Sequence, residues 1–123
     1  MLLNKKTSGK HMICDIKEIN NLILLNNPHE ITDILDNICK KYNFTILKKV
    51  EHIFSPQGFT ILYLLSESHI SIHTFPEYNY FAFDIYTCRN YDNNNIYEEI
   101  YNSLVEIFKA KKEIPYIIDR VFI

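Results

Sequence analysis

Two imidazoles, two serine hydroxyls and a carboxylate fall close together in Glu67-Ser68-His69-Ile70-Ser71-Ile72-His73. A serine attacks a carbonyl when a base takes its proton and the developing oxyanion is stabilised. Histidine titrates in the range that such a base needs. The apolar residues of the stretch alternate, so it reads as a strand with Ile70 and Ile72 on one face and His69, Ser71 and His73 on the other. Pro76 ends it. A half-buried strand wants inert polar groups on its second face, and these are not inert.

The flanking segments supply the scaffold. Phe44 to Phe54 is rich in strand-forming residues. Ser55-Pro56-Gln57-Gly58 is a turn signal, and Phe59 to Leu65 reads as a buried strand. Tyr80 to Thr87 alternates again, with Phe81, Phe83 and Ile85 on one face and Ala82, Asp84, Tyr86 and Cys88 on the other. Four consecutive strands with short turns predict an antiparallel meander. Before them, residues 1–8 are expected to fray and Lys10 to Ile16 forms a strand. Asn27 and Pro28 start a helix that runs to about Tyr42, its stripe being Ile31, Ile34, Leu35, Ile38 and Cys39. After them, Asp92 to Asn95 caps a second helix ending near Lys111, and Tyr116 to Phe122 is a last strand. The spacing predicts an α+β fold, β-α-β-β-β-β-α-β, with two helices packed on one face of an antiparallel sheet.

The 123 residues form a single domain. The net charge of −2 comes from 13 basic and 15 acidic residues interspersed along the chain, which excludes a polyanion-binding surface. No nucleic acid is expected as a partner. Leu2 and Leu3 are followed at once by Asn4, Lys5 and Lys6, so no secretory signal is expected, and no apolar run is long enough for a membrane span. Cys14, Cys39 and Cys88 are odd in number and widely spaced, which points to reduced thiols and a cytoplasmic setting. The spacing His69-x₃-His73 on a strand needs further ligands from elsewhere, so no metal is expected. With nine Tyr and eight Phe, part of the free sheet face is expected to be covered by a second copy of the chain.

Ser-Glu-Ser-His-Ile-Ser-Ile-His-Thr-Phe-Pro-Glu, residues 66–77, resembles the self-cleavage segment of the small prokaryotic-type S-adenosylmethionine decarboxylase proenzymes. The match is dense over residues 54–88. The resemblance implies a cut between Glu67 and Ser68 that leaves chains 1–67 and 68–123. The Ser68 hydroxyl would attack the Glu67 carbonyl, turning amide to ester. Loss of the Ser68 α-proton would expel the Glu67 carboxylate and leave dehydroalanine, and its hydrolysis by water with loss of ammonia would leave a covalent pyruvoyl cofactor. That carbonyl condenses with a substrate amine and takes up the electrons released when carbon dioxide leaves.

The same resemblance assigns roles. His73 is the proton acceptor in processing. Cys88 is the proton donor in decarboxylation, a role that suits a thiol. Thr60 stands where the family usually has a serine that supports processing; it keeps the hydroxyl and adds a methyl that stiffens χ1. Phe75 stands where a tryptophan is common. Phe54 falls where an aromatic stacks on the adenine, and Glu77 where a carboxylate holds the ribose. Gly9-Lys10-His11 resembles the start of the family's N-terminal strand. Taken from the residues alone, a strand serine, a core histidine and a small buried cysteine are the ordinary readings of Ser68, His73 and Cys88.

The resemblance implies decarboxylation of S-adenosylmethionine for polyamine synthesis by a homodimer of processed pairs, a layered sandwich with two sites near the interface. Two other functions compete: the same cofactor acting on ornithine or arginine, and a non-catalytic subunit that activates a decarboxylase. Phe54 and Glu77 favour the nucleoside substrate, and retention of Ser68, His73 and Cys88 argues against the inactive subunit.

Overall fold

A computed structural model of the chain describes residues 6–123. Strands β1 (Thr7–Ile16), β2 (Ile46–Ile53), β3 (Phe59–Leu65), β4 (Ser68–Phe75), β5 (Tyr80–Thr87) and β6 (Tyr116–Val121) form one antiparallel sheet in the order β2-β3-β4-β5-β1-β6. The expected meander is present as β2 to β5. The chain then returns through a helix, and β6 adds to the far side of β1.

Helices α1 (Leu22–Leu25), α2 (Pro28–Lys41) and α3 (Asn95–Phe108) complete the fold. The Asn27 side chain accepts the Glu30 N–H at 3.0 Å, and Pro28 needs no partner for an N–H it lacks, so α2 starts where the residues predict. Ile31, Leu35, Ile38 and Cys39 of α2 meet Ile100, Leu104 and Phe108 of α3 in the core over the sheet. The strands supply the alternate set Met12, Cys14, Ile16, Ile61, Tyr63, Ile70, Ile72, Phe81, Phe83 and Ile85. The α+β layer, with helices on one sheet face only, matches the expected class.

Several boundaries move. Thr7 and Ser8 do not fray. Thr7 pairs with Val121, Phe122 N–H donates to the Lys6 carbonyl and Lys6 N–H donates to the Ile123 carbonyl, so β1 begins three residues early. The expectations on residues 1–5, including the absence of a secretory signal, lie outside the described residues. Helix α1 was not predicted; four residues are too few for a periodic stripe, and Asn21 accepts the Leu24 N–H to cap it. Helix α3 stops at Phe108 rather than near Lys111. Lys109 turns to φ 51°, Lys109 N–H donates to Glu106 and Ala110 N–H donates to Val105, a closing pattern that takes the following lysines off the axis. Among the described residues no helix is long and apolar enough to cross a membrane.

Gly9 lets the first strand approach the end of β5. Its φ is +126°, and a Cβ there would lie 1.7 Å from the Thr87 carbonyl oxygen and 2.8 Å from the Cys88 Cα. Neither backbone atom can yield without moving the other strand. Gly9→Ala is therefore expected to cost roughly 2 kcal/mol of stability or more, read as a lower urea midpoint; an unchanged midpoint would contradict this close approach.

Candidate active site

Ser66 and Glu67 form a two-residue turn between β3 and β4, closed by the pair Leu65 and Ser68. Glu67 takes φ 61°, a left-handed conformation that costs a side-chain-bearing residue on the order of 1 kcal/mol. The peptide that follows is the Glu67–Ser68 bond. Ser68 is 8% exposed and lies with Ile70 and Ile72 on the helix-covered face. Ser68 thus faces away from His69, Ser71 and His73. Its partner across β5 is Thr87, whose hydroxyl hydrogen-bonds the Tyr97 hydroxyl at 2.5 Å.

Cys88 follows Thr87, next to the Ser68 end of β4, and is exposed. Its Sγ donates to the Tyr86 hydroxyl at 3.5 Å. Cys14 and Cys39 are buried; burial pushes their thiols up to about 12 and about 11. Among the cysteines only Cys88 is open to solvent, and the other two belong to the core.

The remaining predicted residues gather at the opposite end of the sheet. Thr60 Oγ1 and His73 Nδ1 lie 2.9 Å apart, on residues paired across β3 and β4. Phe54 is half exposed, with its ring edge-on to His52 at 4.6 Å. Gln57 Nε2 donates to Glu77 Oε2 at 2.9 Å, tying the turn after Phe54 to the turn after β4. Ser68 and His73 are five residues apart on one strand, a separation of ~17 Å at about 3.3 Å per residue. Within one chain Ser68, Glu67 and Cys88 form one group, and Thr60, His73, Phe54 and Glu77 form another. The two groups do not meet.

Between them lies a network that the sequence reading did not single out. On the helix-free face Asp84 of β5 accepts from His11 Nε2 at 2.5 Å, from His69 Nε2 at 3.1 Å and from Ser71 Oγ. Arg120 Nη1 lies 3.4 Å from His11 Nδ1 and extends the chain of contacts to β6. Burial raises the Asp84 carboxyl, but the hydrogen bonds from Ser71, His11 and His69 outweigh it and hold the group below the usual carboxylate range. The signal was present in the alternation, which sets Asp84 on the same face as His69 and Ser71. The ligand-type atoms of His11, His69 and Asp84 lie within 4.8 Å of one another. The Nε2 atoms of His11 and His69 already use the carboxylate as their hydrogen-bond partner, and His73 takes no part.

Residues 10–120 match the family model described as S-adenosylmethionine decarboxylase. An S-adenosylmethionine decarboxylase proenzyme of Clostridium botulinum (strain Loch Maree / Type A3) is 38% identical over 101 residues, covering 81% of this chain and 86% of that one. The proenzyme of Methanococcus maripaludis strain C5 is 43% identical over 83 residues, covering 68% and 67%. The crystal structure of the adenosylmethionine decarboxylase from Aquifex aeolicus VF5 superposes with a TM-score of 0.80 at 27% identity, covering 96% of this chain and 94% of that one.

A carboxyl held low in the fold stabilises the protein above its unfolded-state titration range and loses that contribution as pH falls through its folded one. Asp84→Asn is expected to cost about 2 kcal/mol at neutral pH, because charged hydrogen bonds are lost, and to flatten the acid limb of stability. Urea unfolding from neutral pH down to pH 3 checks this; parallel curves for the two proteins would contradict it.

Proposed function

Because the chain belongs to the S-adenosylmethionine decarboxylase family, it is a decarboxylase of S-adenosylmethionine serving polyamine biosynthesis, and we propose that it works through a pyruvoyl group made from its own Ser68. The observation that carries the cofactor is the tight turn with left-handed Glu67 immediately before a nearly buried Ser68. Strain at Glu67 is relieved when the following bond is cut. Both products keep their places: β3 stays paired with β2 and β4, and β4 with β5, so chains 1–67 and 68–123 remain in one sheet.

Once formed, the pyruvoyl carbonyl supplies a sink for the electron pair left by departing carbon dioxide. The chain's own groups do the rest. Cys88, beside the new terminus, holds the proton that replaces the lost carboxylate on the substrate carbon. Thr60 orients His73: with Nδ1–H donating to Thr60 Oγ1, Nε2 keeps a free lone pair and takes the Ser68 α-proton during processing. Phe54 offers an exposed ring face for the adenine, and Glu77, steadied by Gln57, offers acceptors for the ribose hydroxyls.

His73 and Ser68 of one chain are too far apart to react, so the reading requires a second copy. Two sheets packed by their uncovered faces about a two-fold axis, with strands running oppositely, set the β3–β4 turn of each over the His73 end of the other, so that His73 approaches the Ser68 backbone from the helix-free side while the Ser68 side chain stays on the helix-covered face. The uncovered face supports this arrangement, since Val50, Leu62 and Leu64 stand exposed on it beside the Asp84 network. Each site then draws Ser68, Glu67 and Cys88 from one protomer, and Thr60, His73, Phe54 and Glu77 from its partner.

Complementation tests this arrangement. Ser68→Ala and His73→Ala chains produced separately are expected to stay uncut and inactive. Produced together, mixed dimers hold one intact site, so the His73→Ala chain is cut and decarboxylation of S-adenosylmethionine returns to roughly a quarter of the normal level under random pairing. A His73→Ala chain that stays uncut in the mixture would contradict the shared site. Recovered cleavage without carbon dioxide release from S-adenosylmethionine would contradict the substrate.

A further inference from the structure

Tyr86 stands between the Asp84 network and Cys88. Its ring centroid lies 5.9 Å from those of His11 and His69, and the Arg120 guanidinium lies 5.8 Å from it. Its hydroxyl donates to the Ser8 carbonyl oxygen at 2.8 Å, lies 2.9 Å from Ser8 Oγ, and accepts from Cys88 Sγ at 3.5 Å. We propose that Tyr86 is a positioning residue for Cys88, fixing the thiol's orientation and then donating a hydrogen bond to the thiolate that proton transfer leaves behind. This deepens the reading of Cys88 as proton donor and rests on it.

The donor inventory of a phenol fits both states. A phenol has one O–H to donate and lone pairs that accept. At rest the O–H is spent on Ser8, and a lone pair holds the Cys88 S–H. When the S–H bond breaks and a C–H bond forms on the substrate, the electron pair stays on sulfur, which becomes an acceptor only. The phenol proton then turns from the Ser8 oxygen to sulfur, and Ser8 Oγ–H can donate to the phenol oxygen in its place. The thiolate regains its proton from water before the next turnover.

The other charged groups nearby are committed elsewhere. Lys10 is held by Asn94 Oδ1 at 2.6 Å and Asp119 at 3.1 Å. Arg89, next in the chain to Cys88, donates to the backbone carbonyls of Tyr42 and Asn43 and lies over the Phe44 ring. His11 and His69 give their Nε2 atoms to Asp84, and Arg120 faces His11 and the Tyr86 ring. Among the described residues, the Tyr86 hydroxyl is the polar side-chain partner of the Cys88 sulfur.

The test is Tyr86→Phe, which keeps the ring packing and deletes the hydroxyl. The first measurement is the pH dependence of Cys88 alkylation by iodoacetamide in the uncut Ser68→Ala chain, where no cofactor forms. Cys14 and Cys39 are buried, so the reaction reads Cys88. Tyr86→Phe is expected to move the midpoint upward by roughly half a pH unit or more, slowing alkylation about threefold at neutral pH. In the processed enzyme kcat should fall roughly tenfold with KM within about twofold and self-cleavage unchanged. Superimposed alkylation profiles would overturn the assignment of Tyr86 alone. A shifted midpoint with normal turnover in both Tyr86→Phe and Cys88→Ala would overturn the proton-donor reading of Cys88 instead, and the catalytic consequence for Tyr86 with it.

Discussion

Residues on one β-strand cannot approach one another, and Ser68 and His73 share β4. An extended backbone advances about 3.3 Å per residue and turns each side chain to the opposite face from the last. Five positions therefore impose both a separation of ~17 Å and a reversal of direction. A serine and a histidine so placed cannot react with each other within a single chain. The two separate groups of candidate site residues follow from that constraint. In the proposed arrangement each end of the sheet carries half of a site, and a two-fold axis is the simplest operation that joins unlike halves twice.

The antiparallel register does the complementary work. Pairing Ser68 with Thr87 brings Cys88 beside the Glu67–Ser68 peptide although it lies twenty positions after Ser68, and Gly9 lets β1 close over the same spot. Asp84 then ties the helix-free face together. One carboxylate takes hydrogen bonds from side chains on β1 and β4, and Arg120 on β6 reaches it through His11. A half-buried charge is costly unless its lone pairs are filled, and here three donors fill them. The same network abuts the Tyr86 ring, so the structural fastening of the sheet and the environment of Cys88 are continuous.

Periodicity revealed most of the architecture because burial imposes it. The strands β3, β4 and β5 and the helix α2 carry clean apolar alternation or stripes, and their bounds moved little. Periodicity is weak where burial is weak. Strand β2 is an edge with one partly buried residue, and its ends lie a residue or two inside the expected range. The end of α3 depended on a left-handed Lys109, which no composition rule for lysine announces. Chemistry was readable unevenly. The density of reactive groups in residues 67–73 was plain, but their closeness in sequence concealed their separation in space. Asp84 was seen as a strand polar residue, because its importance lies in partners on β1 and β4 that only the register discloses.

The central claim is that this chain cuts itself before Ser68 and converts that serine into its cofactor. Intact mass of the purified protein under denaturing conditions tests it most directly. The account predicts two chains, residues 1–67 and 68–123, the second lighter by one ammonia than a chain beginning with unmodified serine. A single chain of 123 residues, or a second fragment that keeps its serine, would contradict it.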